Sequence, residues 1–153
     1  MGKQQEFEEA KRVVLNGNAY CATSALESLN KRNKMPDIDF LEKAYMRRRR
    51  CIDRIEIVEM LGKKQTKPAR EMLRQIVQNS SVTLVRYYAL RNLIENGVSM
   101  KEFRPSRAYS SFWASLGSYE EYRQHKISLE ELRSRALPFA EQNDYNWYWL
   151  AHN

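Results

Sequence analysis

The sequence predicts an all-α fold in which pairs of helices stack on one another. Apolar residues recur at spacings of three and four along most of the chain, and no useful stretch alternates with the two-residue period of a strand. Glycine and proline are scarce, at 5 and 4 of 153 residues, and they fall between the apolar-periodic segments. One pattern of apolar positions also recurs at a fixed interval of 32 residues.

The first three helices are bounded by residues that favour helix ends. The first runs from Lys3 to Leu15 and is ended by a glycine in the Asn-Gly-Asn sequence at 16–18. The second runs from about Ala19 to Lys31, and Pro36 with Asp37 opens the third. The residues expected on their inward faces are Phe7, Ala10, Val13 and Val14; Ala22, Ala25, Leu26 and Leu29; and Phe40, Leu41, Ala44 and Tyr45.

The next three helices follow the same rules. The fourth spans about 51–61 and is expected to stop near Gly62; Thr66 and Pro68 start the fifth, which Asn79 and the following serines break. The sixth spans 82–96 and ends at Gly97. The apolar residues expected to face inward are Ile57, Val58 and Leu61; Met72, Leu73, Ile76 and Val77; and Ala89, Leu90 and Leu93.

An internal repeat of two helices emerges when positions are compared by addition of 32. The equivalent sets are Ala22, Ala25, Leu26, Leu29; Arg54, Ile57, Val58, Leu61; and Arg86, Ala89, Leu90, Leu93. The other helix behaves likewise, since Pro36, Phe40, Leu41, Ala44 and Tyr45 map onto Pro68, Met72, Leu73, Ile76 and Val77. One helix pair cannot bury its apolar faces alone, so we expect neighbouring pairs to stack into a continuous core.

The segments "RYYALRNLIENG" (86–97) and "RIEIVEMLGKK" (54–64) resemble HEAT-like repeats, in particular those of the phycobilisome-lyase type. The resemblance covers residues 19–97, roughly half the chain, and the turns hold "RRRRC" and "NSSV" where HEAT repeats commonly carry an Asp. It implies a short right-handed α-solenoid of HEAT-like helix pairs. We expect residues 1–153 to form a single α-helical repeat domain.

Residues 98–153 are expected to form a divergent C-terminal helical cap. Ser99 with Glu102, and Ser128 with Glu131, have the spacing of capping boxes. "SRAYSSFWASLG" predicts another helix, and Pro138 should kink or end the one that follows Ser128. The aromatic tail contains Tyr145, Trp147, Tyr148 and Trp149. Such residues either plug the end of a helical stack, which burial favours, or stack on unpaired bases.

Charge and composition limit the classes of partner and location. The chain carries 26 Lys and Arg against 19 Asp and Glu, a formal charge of +7, which favours nucleic acid, an anionic surface or an acidic protein. No apolar run approaches the ~20 residues of a membrane span, and "MGKQQEFEEAKR" lacks a signal-peptide core. Cytoplasmic location is therefore expected, with Cys21 and Cys51 as reduced, buried thiols.

The most conspicuous charge cluster is the run Arg47, Arg48, Arg49 and Arg50, at the predicted turn between the two helices of one pair. At least one of these side chains should lie along neighbouring backbone carbonyls, while the run as a whole is either a solvated edge or a clamp for carboxylate or phosphate groups. Lys63, Lys64 and Lys67 lie in a turn between pairs and hence on the opposite edge. Phosphate binding by these seven residues is the alternative hypothesis.

The second helix of each pair is expected to line the concave surface of a solenoid. The exposed columns predicted by the interval of 32 are Ser24, Glu56, Tyr88; Glu27, Glu59, Arg91; and Ser28, Met60, Asn92. Both signs of charge occur, and Tyr, Met and Arg are enriched at protein interfaces. The predicted partner-binding residues are therefore Arg47, Arg48, Arg49, Arg50, Glu56, Glu59, Met60, Tyr88, Arg91 and Asn92.

No residue pattern predicts catalysis, a metal ion, a cofactor or a small-molecule substrate. His125 and His152 lack an obvious partner, and the chain contains no P-loop, GxSxG motif or metal-ligand spacing. A glycosylase-like enzyme is a distant third hypothesis. The sequence favours a non-catalytic binding module for another, acidic protein, such as an adaptor, an inhibitor or an immunity-type protein, with a nucleic-acid binder as the alternative. It leaves open the oligomeric state and the identity of the partner.

Overall fold

The computed structural model describes residues 2–99, 121, 124–128, 130–131 and 134. The chain divides into two compact units, Met1–Asn96 and Gly97–Asn153. The elements of the first unit are the α-helices α1 Lys3–Asn16, α2 Ala19–Asn30, α3 Ile38–Arg47, α4 Cys51–Lys64, α5 Lys67–Asn79 and α6 Thr83–Glu95. The described residues contain no strand, so the predicted all-α class is confirmed.

Three of these helices begin at the residues whose side chains suit an N-cap. Asn18, Asp37 and Thr66 each accept a hydrogen bond from the backbone N–H three residues later. Such a bond satisfies one of the first N–H groups of a helix, which have no partner within it. At the other end of the unit's sequence, Gly97 follows α6 with φ +87°, a conformation that favours glycine. The starts of these three helices and the end of α6 are therefore explained by local chemistry.

Gly62 does not end α4, and that expectation is wrong. The helix continues through Lys64 and stops at Gln65, which adopts the left-handed conformation with φ 53°. Gly62 is buried against α6, where a Cβ atom at position 62 would lie 1.9 Å from Asn92 Oδ1. The glycine thus permits a close approach of two helices.

Cross-helix hydrogen bonds establish the directions of the packed helices. Each helix of the pairs α1–α2, α3–α4 and α5–α6 packs on its partner, and α4 also packs on α2 and α6. Thr23 Oγ1 lies 2.6 Å from Asp53 Oδ1 near the start of both helices, whereas Lys63 Nζ lies 2.6 Å from Asn30 O near both ends. Helices α2 and α4 therefore run in the same direction.

Helices α4 and α6 also run in the same direction. Asn92 donates to Glu59, and Asn96, four residues later, donates to the carbonyl of Gly62. The N-termini of α2, α4 and α6 consequently lie at one end of the first unit. We call this end the turn edge and define it as residues 16–20, 46–52 and 79–82.

Apolar side chains from all six helices form the core. Leu26, Val58 and Leu90, which lie 32 residues apart, are each fully buried, as are Leu29, Leu61 and Leu93. In the second unit, the Glu131 N–H donates to Ser128 Oγ over 3.1 Å, as the predicted capping box requires. The other helices and aromatic residues predicted for the C-terminal cap lie outside the described residues. No described helix combines the length and apolarity needed to cross a bilayer.

Candidate partner-binding edge

Arginine side chains satisfy the carbonyl groups that the first helix of each pair leaves free at its C-terminus. Arg54 lies in α4, and its Nη2 donates to the carbonyl of Tyr45 over 3.2 Å. Its Nε is 3.1 Å from the carbonyl of Arg48. In the next pair, Arg86 Nε donates to the carbonyl of Val77 over 2.8 Å. Because the last carbonyls of a helix lack partners within it, these bonds secure the turns.

Arg48 also donates to carbonyl groups at the C-terminus of a first helix, but this helix, α1, belongs to the preceding helix pair. Its Nε donates to the carbonyl of Val14 over 2.6 Å, and its Nη2 donates to the carbonyl of Gly17 over 2.7 Å. The expectation that one of the four arginines lies along backbone carbonyls is confirmed. Arg48 is half-buried and engaged inside the unit, so it leaves the set of residues available to a partner.

Arg47, Arg49 and Arg50 are exposed, and within the described part of the chain none of them makes a hydrogen bond or a salt bridge. The three segments of the turn edge contain no Asp or Glu, so no acidic side chain of these segments neutralises them. Helices α4 and α6 begin at this edge without a side-chain N-cap. Their free N–H groups add positive partial charge to that of the arginines.

Exposed apolar side chains lie at the same edge as these arginines. Among the residues whose burial the structure describes, the exposed large hydrophobic ones are Tyr20 at 82%, Met46 at 66%, Ile52 at 41% and Val82 at 37%. All four belong to the turn edge. No sequence pattern marks them as exposed, although Tyr20 and Ile52 are related by the interval of 32. They lie at helix ends, outside the row of buried apolar positions. Only the packing of the helices shows that their side chains stay exposed.

The predicted concave surface is partly closed. Met60, Tyr88 and Asn92 are buried, so the expectation that they are exposed is wrong. For Asn92 the cause is the close approach of α4 and α6 at Gly62: its amide lies against Gly62 and donates to the carbonyl of Tyr88 and to Glu59 Oε1. Because all three residues are buried, they leave the candidate site.

The other predicted partner-binding residues of that surface, Glu56, Glu59 and Arg91, are half-buried and hold partners, whereas Ser24, Glu27 and Ser28 are exposed. Glu56 accepts a hydrogen bond from Asn30 over 2.6 Å, and Arg91 lies 3.8 Å from Glu95. Burial raises the pKa of Glu59, while the Asn92 hydrogen bond and the Arg91 charge act in the opposite direction. This polar strip therefore connects the helices, and its side chains are less available to a ligand than those of the turn edge.

The lysines of the alternative phosphate site are at the opposite end of the unit. Lys63 Nζ lies 2.6 Å from the carbonyl and 2.7 Å from Oδ1 of Asn30, so it caps the C-terminus of α2. Lys64 donates to the carbonyl of Pro36 over 2.9 Å, and Lys67 is exposed. The structure therefore does not bring these lysines together with Arg47, Arg49 and Arg50.

Both cysteines and one buried acidic residue, Asp53, lie in the described part of the chain. Both thiols are free, but Cys21 is exposed, so its predicted burial is wrong; Cys51 is half-buried, and burial raises its pKa. Asp53 is buried in the first turn of α4 beside Thr23, a position that the sequence did not single out. Among the described residues, no group of His, Cys, Asp and Glu is arranged to hold a metal ion.

Comparisons with protein families, with characterised proteins and with solved structures gave no match to this chain. The candidate site therefore rests on its own geometry.

Proposed function

We propose that this protein is a non-catalytic, HEAT-like helical-repeat module that binds an acidic protein through its turn edge, as an adaptor or inhibitor does. The observation that carries the proposal is the coincidence of Arg47, Arg49 and Arg50 with the exposed apolar residues at one end of the first unit. Those arginines have no acceptor among the described residues. Guanidinium groups bind carboxylates in bidentate geometry, which suits an acidic partner.

Two matched contacts support the HEAT-like, right-handed solenoid that forms part of this proposal. Arg54 and Arg86 are 32 residues apart, and so are Tyr45 and Val77, the residues whose carbonyls accept their hydrogen bonds. The fully buried residues Leu26, Val58 and Leu90 share the same interval. Equivalent residues in successive helix pairs thus make equivalent contacts, which is what a stacked repeat requires.

The chemistry of the turn edge favours a protein over nucleic acid. Tyr, Met and Arg are enriched at protein interfaces, and exposed apolar side chains gain from burial against a partner. Tyr20 and Met46 are the most exposed of the apolar set. The lysines of the alternative phosphate site do not add to the charge of this edge, because Lys63 and Lys64 are bonded to carbonyls at the opposite end.

Selection from a library of random peptides displayed on phage tests the proposal without assuming a partner. The enriched peptides should be acidic, and the double variant Arg49→Glu/Arg50→Glu should lose at least about tenfold in affinity for them, which corresponds to about 1.4 kcal/mol. The matched control is Lys3→Glu/Lys67→Glu, which makes the same change in charge at exposed helix starts away from the turn edge. We expect this control to bind like the wild type.

Binding to random duplex DNA and to single-stranded RNA across a salt series separates the alternative. Three free arginines that neutralise phosphates predict a log–log slope of about −2.7 for the duplex. Such a slope, its loss in Arg49→Glu/Arg50→Glu, and peptides without an acidic bias would together replace protein binding by nucleic-acid binding.

A further inference from the structure

A groove between α3 and α5 opens at the turn edge. Helix α3 packs on α1 and α4 but makes no comparable contact with α5, and the space between them measures about 580 Å³. Clefts that hold ligands typically measure about 300–1,000 Å³. The apolar side chains that line the groove are Ile38, Tyr45, Met46, Pro68, Met72 and Ile76, and polar side chains of α3, α4, α5 and the turn after α5 complete the lining.

Arg54 places a positive charge in the lining of this groove. Its guanidinium lies 4.1 Å from the centre of the Tyr45 ring, which fixes its plane. The Nε and Nη2 atoms donate to backbone carbonyls, but Nη1 donates to no acceptor among the described residues. Nη1 therefore retains N–H groups for an acceptor supplied from outside the unit, and a carboxylate is the acceptor that forms the strongest such bond.

The charges along the groove give it a direction. Arg54 stacks on Tyr45 at the C-terminal end of α3, where Met46 and the arginines of the turn edge also lie. The carboxylates of the lining lie farther from this end: Glu42 is one turn earlier in α3, and Glu71 is in the first half of α5, paired with Arg74 at 2.7 Å. An acidic ligand group is therefore favoured at the turn edge and disfavoured deeper in the groove.

We infer that the groove is the specificity pocket for a short acidic segment of the partner, and that an apolar side chain of this segment inserts between α3 and α5. One carboxylate of the segment bonds Arg54 Nη1, and its other acidic residues contact Arg47, Arg49 and Arg50. The apolar anchor packs on Met72 and Ile76. Methionine adapts its shape to varied apolar groups, so Met46 and Met72 suit a lining that closes around an inserted side chain.

This inference deepens the proposed function and depends on it. The arginines of the turn edge alone attract any acidic chain, whereas the groove demands an apolar residue next to the acidic ones. The preferred segment therefore combines Asp or Glu with a large apolar or aromatic residue. A purely acidic segment is expected to bind more weakly and to lose more of its affinity in salt, because screening acts on charge and not on apolar burial.

The test uses the peptides enriched from the same random display library, with the full-length protein. We expect Asp or Glu next to Leu, Phe or Trp in the enriched sequences. Met46→Glu puts a carboxylate at the groove mouth, where the Met46 side chain is exposed and folding is not at stake. Met72→Glu puts one deeper. Each should weaken binding by about tenfold or more. The matched control Gln78→Glu adds the same charge on α5 outside the groove lining and should stay within about twofold.

A second measurement does not depend on variants. With 13C-methyl methionine, the methyl signals of Met46 and Met72 should shift when an enriched peptide is added and reach a plateau as the peptide saturates the groove. Unmoved signals, or full binding by both Met variants, would overturn the groove as the pocket. If Arg49→Glu/Arg50→Glu then still abolishes binding, the proposed function stands. If the enriched peptides lack acidic residues, or if that double variant binds normally, both proposals fail.

Discussion

Gly62→Ala provides a stringent test of the packing of α4 on α6. In an exposed helix interior this substitution stabilises a protein by roughly 0.5–1 kcal/mol, because glycine loses more backbone entropy on folding. Here a Cβ atom at position 62 would lie 1.9 Å from Oδ1, 2.6 Å from Cγ and 2.9 Å from Cβ of Asn92. Rotating the Asn92 side chain cannot move its Cβ, so the backbone of α6 must shift. We therefore expect destabilisation.

The size of the effect follows from three contributions. Overpacking in a core costs about 1–3 kcal/mol. Displacing the Asn92 amide weakens its bonds to the Tyr88 carbonyl, at 2.8 Å, and to Glu59, at 3.3 Å, for about 1 kcal/mol each. The gain in helix propensity offsets up to about 1 kcal/mol. The net destabilisation is at least about 2 kcal/mol, which for the unit Met1–Asn96 lowers Tm by about 10 °C or more.

Urea and thermal unfolding of four proteins test this prediction: the wild type, Gly62→Ala, Asn92→Ala and the double variant. Asn92→Ala removes the two closest atoms, so the double variant should be less destabilised than the sum of the single variants by about 1 kcal/mol or more. Gly2→Ala serves as a control, because no atom lies within 4 Å of a Cβ at position 2. A higher Tm for Gly62→Ala, or additive single effects, would show that the two helices do not approach as described.

The remaining predictions concern the arginines and Glu59. Arg48→Ala should lower the free energy of unfolding by about 1.5–3 kcal/mol, because the carbonyls of Val14 and Gly17 lose a charged donor. Arg49→Ala should change it by no more than about 0.5 kcal/mol. Equal effects of the two substitutions in urea unfolding would contradict the structural role of Arg48. The pKa of Glu59 is raised, so the folded state binds its proton more readily than the unfolded state, and stability falls as pH rises from 4.5 through the folded pKa. Glu59→Gln should remove this loss, so its free energy of unfolding should exceed that of the wild type by the largest amount above the folded pKa. If the free energies of unfolding of the two proteins depend on pH in the same way, the raised pKa of Glu59 is excluded. When the affinity of the enriched acidic peptides is measured across a salt series, part of it should persist at high salt through the apolar anchor, and a complete loss would point to charge alone.

The helices and their boundaries could be predicted because their causes are local. Asn18, Asp37 and Thr66 cap their helices through a backbone N–H only three residues away, and the buried stripe of α4 follows from its three- and four-residue spacing. Gly62 was misread because glycine has two uses in a helix. A glycine can end a helix, or it can let another helix approach closely. Which of the two applies at Gly62 depends on Asn92, 30 positions farther along the chain.

The candidate site was predicted only in part for the same reason. The sequence places four arginines in one turn, but which of them bonds to Val14 and Gly17 depends on where α1 ends in space. Met60, Tyr88 and Asn92 occupy positions at which the interval of 32 predicts exposure, yet all three are buried, and for Asn92 the cause is the close approach of α4 at Gly62. Tyr20 and Met46 carry no sequence signal of exposure, since apolar residues usually indicate the core.

The sequence alone determined the helical class, the six segments, the positive charge and the interval that relates the helix pairs. Each of these depends on the residues themselves or on neighbours within one or two helical turns. The tertiary structure alone decided which arginines remain available, which polar residues are buried, and that a groove with a guanidinium opens beside the exposed apolar side chains. Those features arise from contacts between helices, where a shift of one helix by the width of a methyl group changes which side chains solvent can reach.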